Sequence, residues 1–299
     1  MGVLRLGILL AVTAAAAGAG AALAQTPGAV PDFGGVWTHP AVGFGPALKG
    51  PGPILNLSRT AKGTNNNARL VGDYKNPILQ PEAAEIIRQR GLVAISGKAF
   101  PDPDSMCLQQ PVPYIFWNFD LVFLQEKDKV TLIYQHDNDY RQVWLNQAHP
   151  ANLEPSAHGH SVGHYEGDTL VIDTVGVAVG PYTTIDRLGT PYSDALHVVE
   201  RYRMLPYEQA KAAMDLAEKE WMRAGPTVDP NYRGHGVQLE FLVEDQKTFT
   251  MPWSASITYL KREQTGWEER ICAENVEHDF NFGYFSGNAK PPSDETPDF

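Results

Sequence analysis

The chain has 299 residues, 43% of them hydrophobic and 20% charged, with 24 Lys and Arg against 35 Asp and Glu. That balance describes a folded globular protein, and a formal charge of −11 excludes nucleic acid and anionic membrane surfaces as partners. With 27 Gly and 23 Pro, many turns and few long helices are expected, which excludes a coiled coil or a polytopic membrane protein.

Residues 1–24 read as a signal peptide. Arg5 precedes an apolar, alanine-rich run ending in Ala22-Leu23-Ala24, and small residues at −3 and −1 place cleavage before Gln25. A retained anchor is the competing reading, but the run is Ala- and Gly-rich and ends in a cleavage pattern. The expected location is the periplasm, with no membrane association after cleavage. In that oxidising space Cys107 and Cys272 are expected to form a disulfide, because two thiolates alone under-coordinate zinc. Closing a loop of about 160 residues is worth on the order of 4–5 kcal/mol in the chain-entropy description. Two buried, unreactive thiols are the alternative.

Residues 25–299 read as a single domain: an irregular segment over 25–105, a barrel core over 106–280 and a polar tail over 281–299. Phe33-Gly-Gly-Val-Trp37 looks like a first strand, and Pro81 to Gly91 a short helix with Pro at its start and Gly at its end. From Pro113 onward the chain reads as β, with strands over 130–135, 141–146, 169–177, 196–204, 237–243 and 249–261. Phe249, Met251, Trp253, Ala255, Ile257 and Tyr259 alternate with small polar residues, so one face of that strand is buried. The pattern predicts a mainly β fold, an antiparallel barrel. Tyr207 to Arg223 interrupts it with strong helix formers at helical spacing, a helical insertion over about 207–224 that covers or plugs the barrel.

No phosphate-binding Gly loop, dinucleotide fingerprint or Gly-x-Ser-x-Gly elbow is present in the sequence. Histidine and arginine instead concentrate around 136–203. His158-Gly-His160-Ser-Val-Gly-His164 invites a metal reading, with Glu166 or Asp168 to complete it; histidines in a polar loop are the simpler account. Arg141 shares a face with Val143 and Leu145, so it needs an anion. Asp137, Asp139 or Asp194 would satisfy it structurally, and a ligand carboxylate or phenolate functionally. His197, Arg201 and Arg203 share the face opposite Leu196, Val198, Glu200 and Tyr202, with Asp194 three residues ahead to orient an imidazole.

Several motifs together resemble a large family of exported proteins of Gram-negative bacteria. They are Asp32-Phe-Gly-Gly-Val-Trp37, Asn138-x-x-Arg141, His149-Pro150, residues 161–174 (SVGHYEGDTLVIDT), residues 191–201 (PYSDALHVVER), Pro252-Trp253 and Cys272-x-Glu-Asn275. The likeness runs over about residues 31–280. It implies a calycin- or lipocalin-like β-barrel, with some relatives acting as cofactor-independent lyases or decarboxylases on lignin-derived aromatic molecules. The insertion within 205–236 and Gln147, where the family carries arginine, depart from the pattern.

Two leading functions follow as expectations, with a third behind them. One is a cofactor-free lyase holding an aromatic carboxylate or phenol inside the barrel, with Arg141, His149, His164 and His197 converging as clamp and acid–base groups. Tyr140, His160, Asp194 and Arg201 would line the substrate. The other is a periplasmic carrier of hydrophobic small molecules without turnover; a metal-dependent hydrolase around His158, His160 and His164 is third. Whether the protein is a homo-oligomer stays open.

Overall fold

The computed structural model describes residues 30–272, apart from 40, 42, 67, 68, 99, 118, 119, 222–226, 264–266 and 268–270. The expected signal peptide, the polar tail and Asn275 lie outside the described residues. Nine strands close into a barrel in sequence order: β1 (Val36–Thr38), β2 (Asp120–Gln125), β3 (Lys129–Tyr134), β4 (Tyr140–Leu145), β5 (His160–Glu166), β6 (Thr169–Val175), β7 (His197–Leu205), β8 (Gly236–Glu244) and β9 (Trp253–Lys261). Trp37 pairs with Lys261 to complete the circle, which leaves this sheet no free edge among the described residues. The β-barrel expected from the sequence is therefore the fold.

Alternation fills the interior. Leu121 and Phe123, Val130, Leu132 and Tyr134, Leu170 and Ile172, Val198 and Tyr202, Leu239 and Phe241, and Ala255, Ile257 and Tyr259 are all buried. Tyr114–Trp117, a single 3-10 turn whose four residues are buried, leads into β2 at the end of the barrel where β1 finishes and β9 begins. We call this the upper end.

Three expectations need correction. The barrel is not antiparallel throughout, because Val143 to Leu145 of β4 pair in parallel with Ser161 to Gly163 of β5. A parallel pair needs a crossover, so residues 146–159 return along the outside of the wall. Second, Gly91 does not end the first helix, α1 (Pro81–Ile95). A Cβ there would lie 3.0 Å from Val71 Cγ1, so this glycine serves close packing inside the helix. Third, β9 starts at Trp253 rather than Phe249, because Thr248 and Phe249 are tied into a turn by backbone bonds to the Asp245 carbonyl.

The insertion is the helix α2 (Tyr207–Glu220), and it lies outside the sheet. Ala210 and Met214 pack on Leu205 and Leu260. Gly236 of β8 makes room for it, since a Cβ there would come within 2.5 Å of Ala210 Cβ.

Candidate functional site

The upper end carries a pocket built from five separate pieces of chain. Gly43, Phe44, Pro53 and Ile54 form one side, Leu70 a second, Asp186, Arg187 and Leu188 a third, and Trp117 and Trp221 close the rest. Its cavity volume is about 30 Å³, and the pocket is partly open to solvent. Most of its lining is aliphatic or aromatic. The guanidinium of Arg187 stands 4.9 Å over the Trp117 ring, and Trp117 meets Tyr114 edge-on at 5.6 Å.

Local chemistry explains how each wall is placed. The Asp186 carboxylate accepts bonds from Leu188 N–H at 2.9 Å, Thr190 N–H at 3.1 Å and Thr190 Oγ1 at 2.6 Å. This turn holds residues 185–190 and presents Arg187 to the pocket. Gly189 sits at φ +80°, and a Cβ there would strike Arg90 and Phe100. Arg90 donates in turn to the Gly189 carbonyl. Burial pushes the Asp186 carboxyl above its usual range, against the bonds from Thr190 and Leu188. On the opposite wall Trp221, just past α2, donates Nε1–H to the Phe44 carbonyl at 3.2 Å. Gly43, at φ +133°, lets the indole lie on the backbone, where a Cβ would come within 2.4 Å of the ring.

None of the residues expected as catalytic lines this pocket. Arg141 points into the barrel, as its alternation predicts, but its partner is the chain itself. Its two terminal nitrogens each donate to Glu200 at 2.6 Å, with Tyr134 at 3.1 Å and Ser161 and Thr174 at 3.3 Å completing the shell. Both side chains are essentially inaccessible, at 2% and 0%. Burial opposes the charge, yet Glu200 beside it drives the Arg141 guanidinium above its ordinary value. Tyr134 is pushed up to about 12 by burial, and Tyr202 rises for the same reason, so the surrounding phenols stay protonated.

The histidines lie on the other side of the wall. Residues 146–159, crossing outside, lay His149 over β5 and β6: its Nδ1 is 2.9 Å from Nδ1 of His160 and its Nε2 is 3.0 Å from Asp173. The second oxygen of Asp173 meets His197 at 3.1 Å, and His197 Nδ1 faces Glu244 at 2.9 Å. His164 stands apart with Glu166 at 3.0 Å, and Glu166 also binds Arg201 at 2.6 Å. The expected convergence of Arg141, His149, His164 and His197 on one cavity is thus overturned. Strand alternation puts Arg141 inside and His164 and His197 outside, and the crossover carries His149 onto the outer face.

No known protein family, curated protein or solved structure matches the chain.

The remaining expected site residues disperse as well. Tyr140 is 63% exposed at the start of β4, and Asp194 pairs with Lys247 at the surface rather than orienting His197. The proposed metal triad separates, since His158 faces Asp139 at 3.5 Å while His160 and His164 have the partners given above. Cys107 and Cys272 are bonded, with Cα atoms 5.4 Å apart, across a separation of 165 residues. Sequence reasoning missed Trp117, Asp186, Arg187 and Trp221. The only local signal was Asp186-Arg-Leu-Gly189, a turn composition that says nothing about what faces it.

Proposed function

We propose that the protein binds a flat, largely apolar molecule carrying one acid or phenolate group, in the pocket between Trp117 and Trp221. The observation that carries this reading is Arg187, a cation held 4.9 Å over an indole in a pocket of otherwise mostly apolar lining. An aromatic ring gains dispersion and ring contacts from Trp117, Phe44 and Trp221. Its anionic group gains a charge-assisted bond from a guanidinium whose fork suits carboxylates. The imidazoles stand outside this lining, which favours a carrier over a lyase whose acid and base are histidines. Export to the periplasm belongs to the same proposal and rests on residues 1–24 and on the resemblance of the motifs.

A lyase remains the second reading, favoured by Asp186. A carboxyl whose proton affinity is raised by burial, next to a bound ring, is the type of group that delivers a proton after decarboxylation. One experiment separates the two. Quenching of tryptophan fluorescence is titrated with aromatic acids, phenols and their neutral analogues, and the same mixtures are followed by mass spectrometry. Binding of the acids with unchanged mass supports the carrier, and loss of CO₂ supports the lyase. Arg187→Gln should weaken the anions by about 10–100-fold, the worth of one charge-assisted bond, and leave neutral analogues unchanged. Equal affinity of acids and neutral analogues for the wild-type protein would sink both readings.

A further inference from the structure

We propose that the Cys107–Cys272 bridge is one state of a redox-gated zinc site, completed by His136 and Asp137. One ligand atom each from His136, Asp137 and Cys272 lie within 4.8 Å of one another. One of the three separations is already near that of ligands around a single ion. His136 Nε2 is 3.1 Å from Asp137 Oδ2, where ligands about 2.0–2.3 Å from zinc stand roughly 3.3–3.8 Å apart. The fourth position belongs to Cys107, whose sulfur is bonded to that of Cys272.

The surroundings hold these groups in place. Cys272 donates its backbone N–H to Asp137 Oδ1 at 2.6 Å, which turns Oδ2 toward His136. His136 is 3% exposed and Cys272 2%, so these two ligands are shielded from water, while Asp137 and Cys107 are only partly buried. Asp104 Oδ1 lies 3.2 Å from the same His136 nitrogen, and its backbone oxygen lies 3.4 Å from Cys272 Sγ. Carboxylate so close to an imidazole nitrogen makes the place electronegative, as a cation requires.

In the oxidised protein the sulfurs are spent on each other and are poor ligands. A dithiol reductant opens the bridge: it gives two electrons and two protons to the sulfurs and leaves as its own disulfide. Zinc then displaces both thiol protons, so the two thiolates balance its charge, while His136 and Asp137 fill the tetrahedron. The disulfide and the metal site, alternatives when only the cysteines are counted, become successive states of one place.

The test compares the full chain in its oxidised form with the same protein reduced by a dithiol and desalted without oxygen. Each is challenged with Zn²⁺ against a chromophoric chelator, and with Co²⁺ for its thiolate charge-transfer and tetrahedral bands. Reduced protein should retain about one equivalent of zinc and oxidised protein essentially none. Reduced His136→Gln should lose retention. Asp137→Asn, which keeps the acceptor for Cys272 N–H and suits the left-handed backbone at φ +52°, should weaken it by roughly 10–100-fold. If His136→Gln fails to fold, Asp137→Asn decides alone. The proposal is overturned if reduced wild type releases zinc as readily as the oxidised form. Unchanged binding by the folded variants overturns it too.

Discussion

Two polar assemblies occupy the same strands of this barrel and differ by one residue of register. On β6 and β7, Thr174 and Glu200 face inward and join Arg141 in a dry cluster where every partner comes from the chain. Asp173 and His197, one and three residues away, face outward and join His149, His160 and Glu244 in a half-exposed row. The inner pair is a charge taken out of water and repaid by geometry; the outer row is a set of weak, screened, titratable contacts. Charge next to apolar sequence is therefore no guide to a ligand site. A carboxylate three strands along the barrel satisfies an arginine as well as a substrate does, and leaves nothing for the substrate to do.

Breaking the inner assembly should cost the most. Arg141→Met leaves Glu200 buried and unpaired, and should destabilise the protein by about 3–5 kcal/mol in urea unfolding. Adding Glu200→Leu should recover most of that loss, because the pair is then replaced by apolar volume. Asp173→Asn on the outer row should cost no more than about 1 kcal/mol. Equal costs inside and outside would break the contrast.

The disulfide comes next. It ties the segment beyond β9 to the loops at the upper end and closes a loop spanning 165 residues. Cys107→Ser/Cys272→Ser should lower stability by roughly 2–5 kcal/mol through the unfolded chain, with barrel circular dichroism retained at low denaturant. A smaller loss would mean that the reduced chain already holds this segment near Asp104 and Asp137.

How much of this was legible follows from what alternation encodes. Period two gave the barrel and the inward direction of Arg141, and helical spacing gave α2. Alternation says which face a residue takes but not who meets it there, so Glu200 went unrecognised as the partner of Arg141. The segment Asp120–Gln125 carries too continuous an apolar run for the pattern to mark it as β2. The pocket was invisible for another reason. Its walls come from positions 43, 117, 187 and 221, and their meeting depends on how loops close over the barrel end. Glycines that looked like punctuation carry part of that information, as Gly43 shows by admitting Trp221. The parallel crossover was equally hidden, and with it the route that brings His149 onto the outer wall.

The smallest expected effect lies within the outer row and sharpens the comparison from inside it. Partial burial opposes charging of His197, but the hydrogen bonds it donates to Glu244 and Asp173 outweigh it and raise its pKa above the ordinary imidazole value. His160 goes the other way, lowered first by burial and then by neighbouring His149. The signs follow by linkage. His197 adds stability that is fully present below about pH 6.5 and is lost as the pH rises through its raised folded value. His160 is held neutral, so protonating it on acidification subtracts stability once the pH falls below that ordinary value. Nitrogen-resolved NMR titration should find His197 titrating above His160. His197→Gln should remove the loss of stability on the alkaline side, leaving only the decline of His160 on the acid side. If both rings titrate together near the value of a free imidazole, the outer row is a set of unlinked surface side chains. The contrast with the buried Arg141–Glu200 pair is then one between structure and solvent alone.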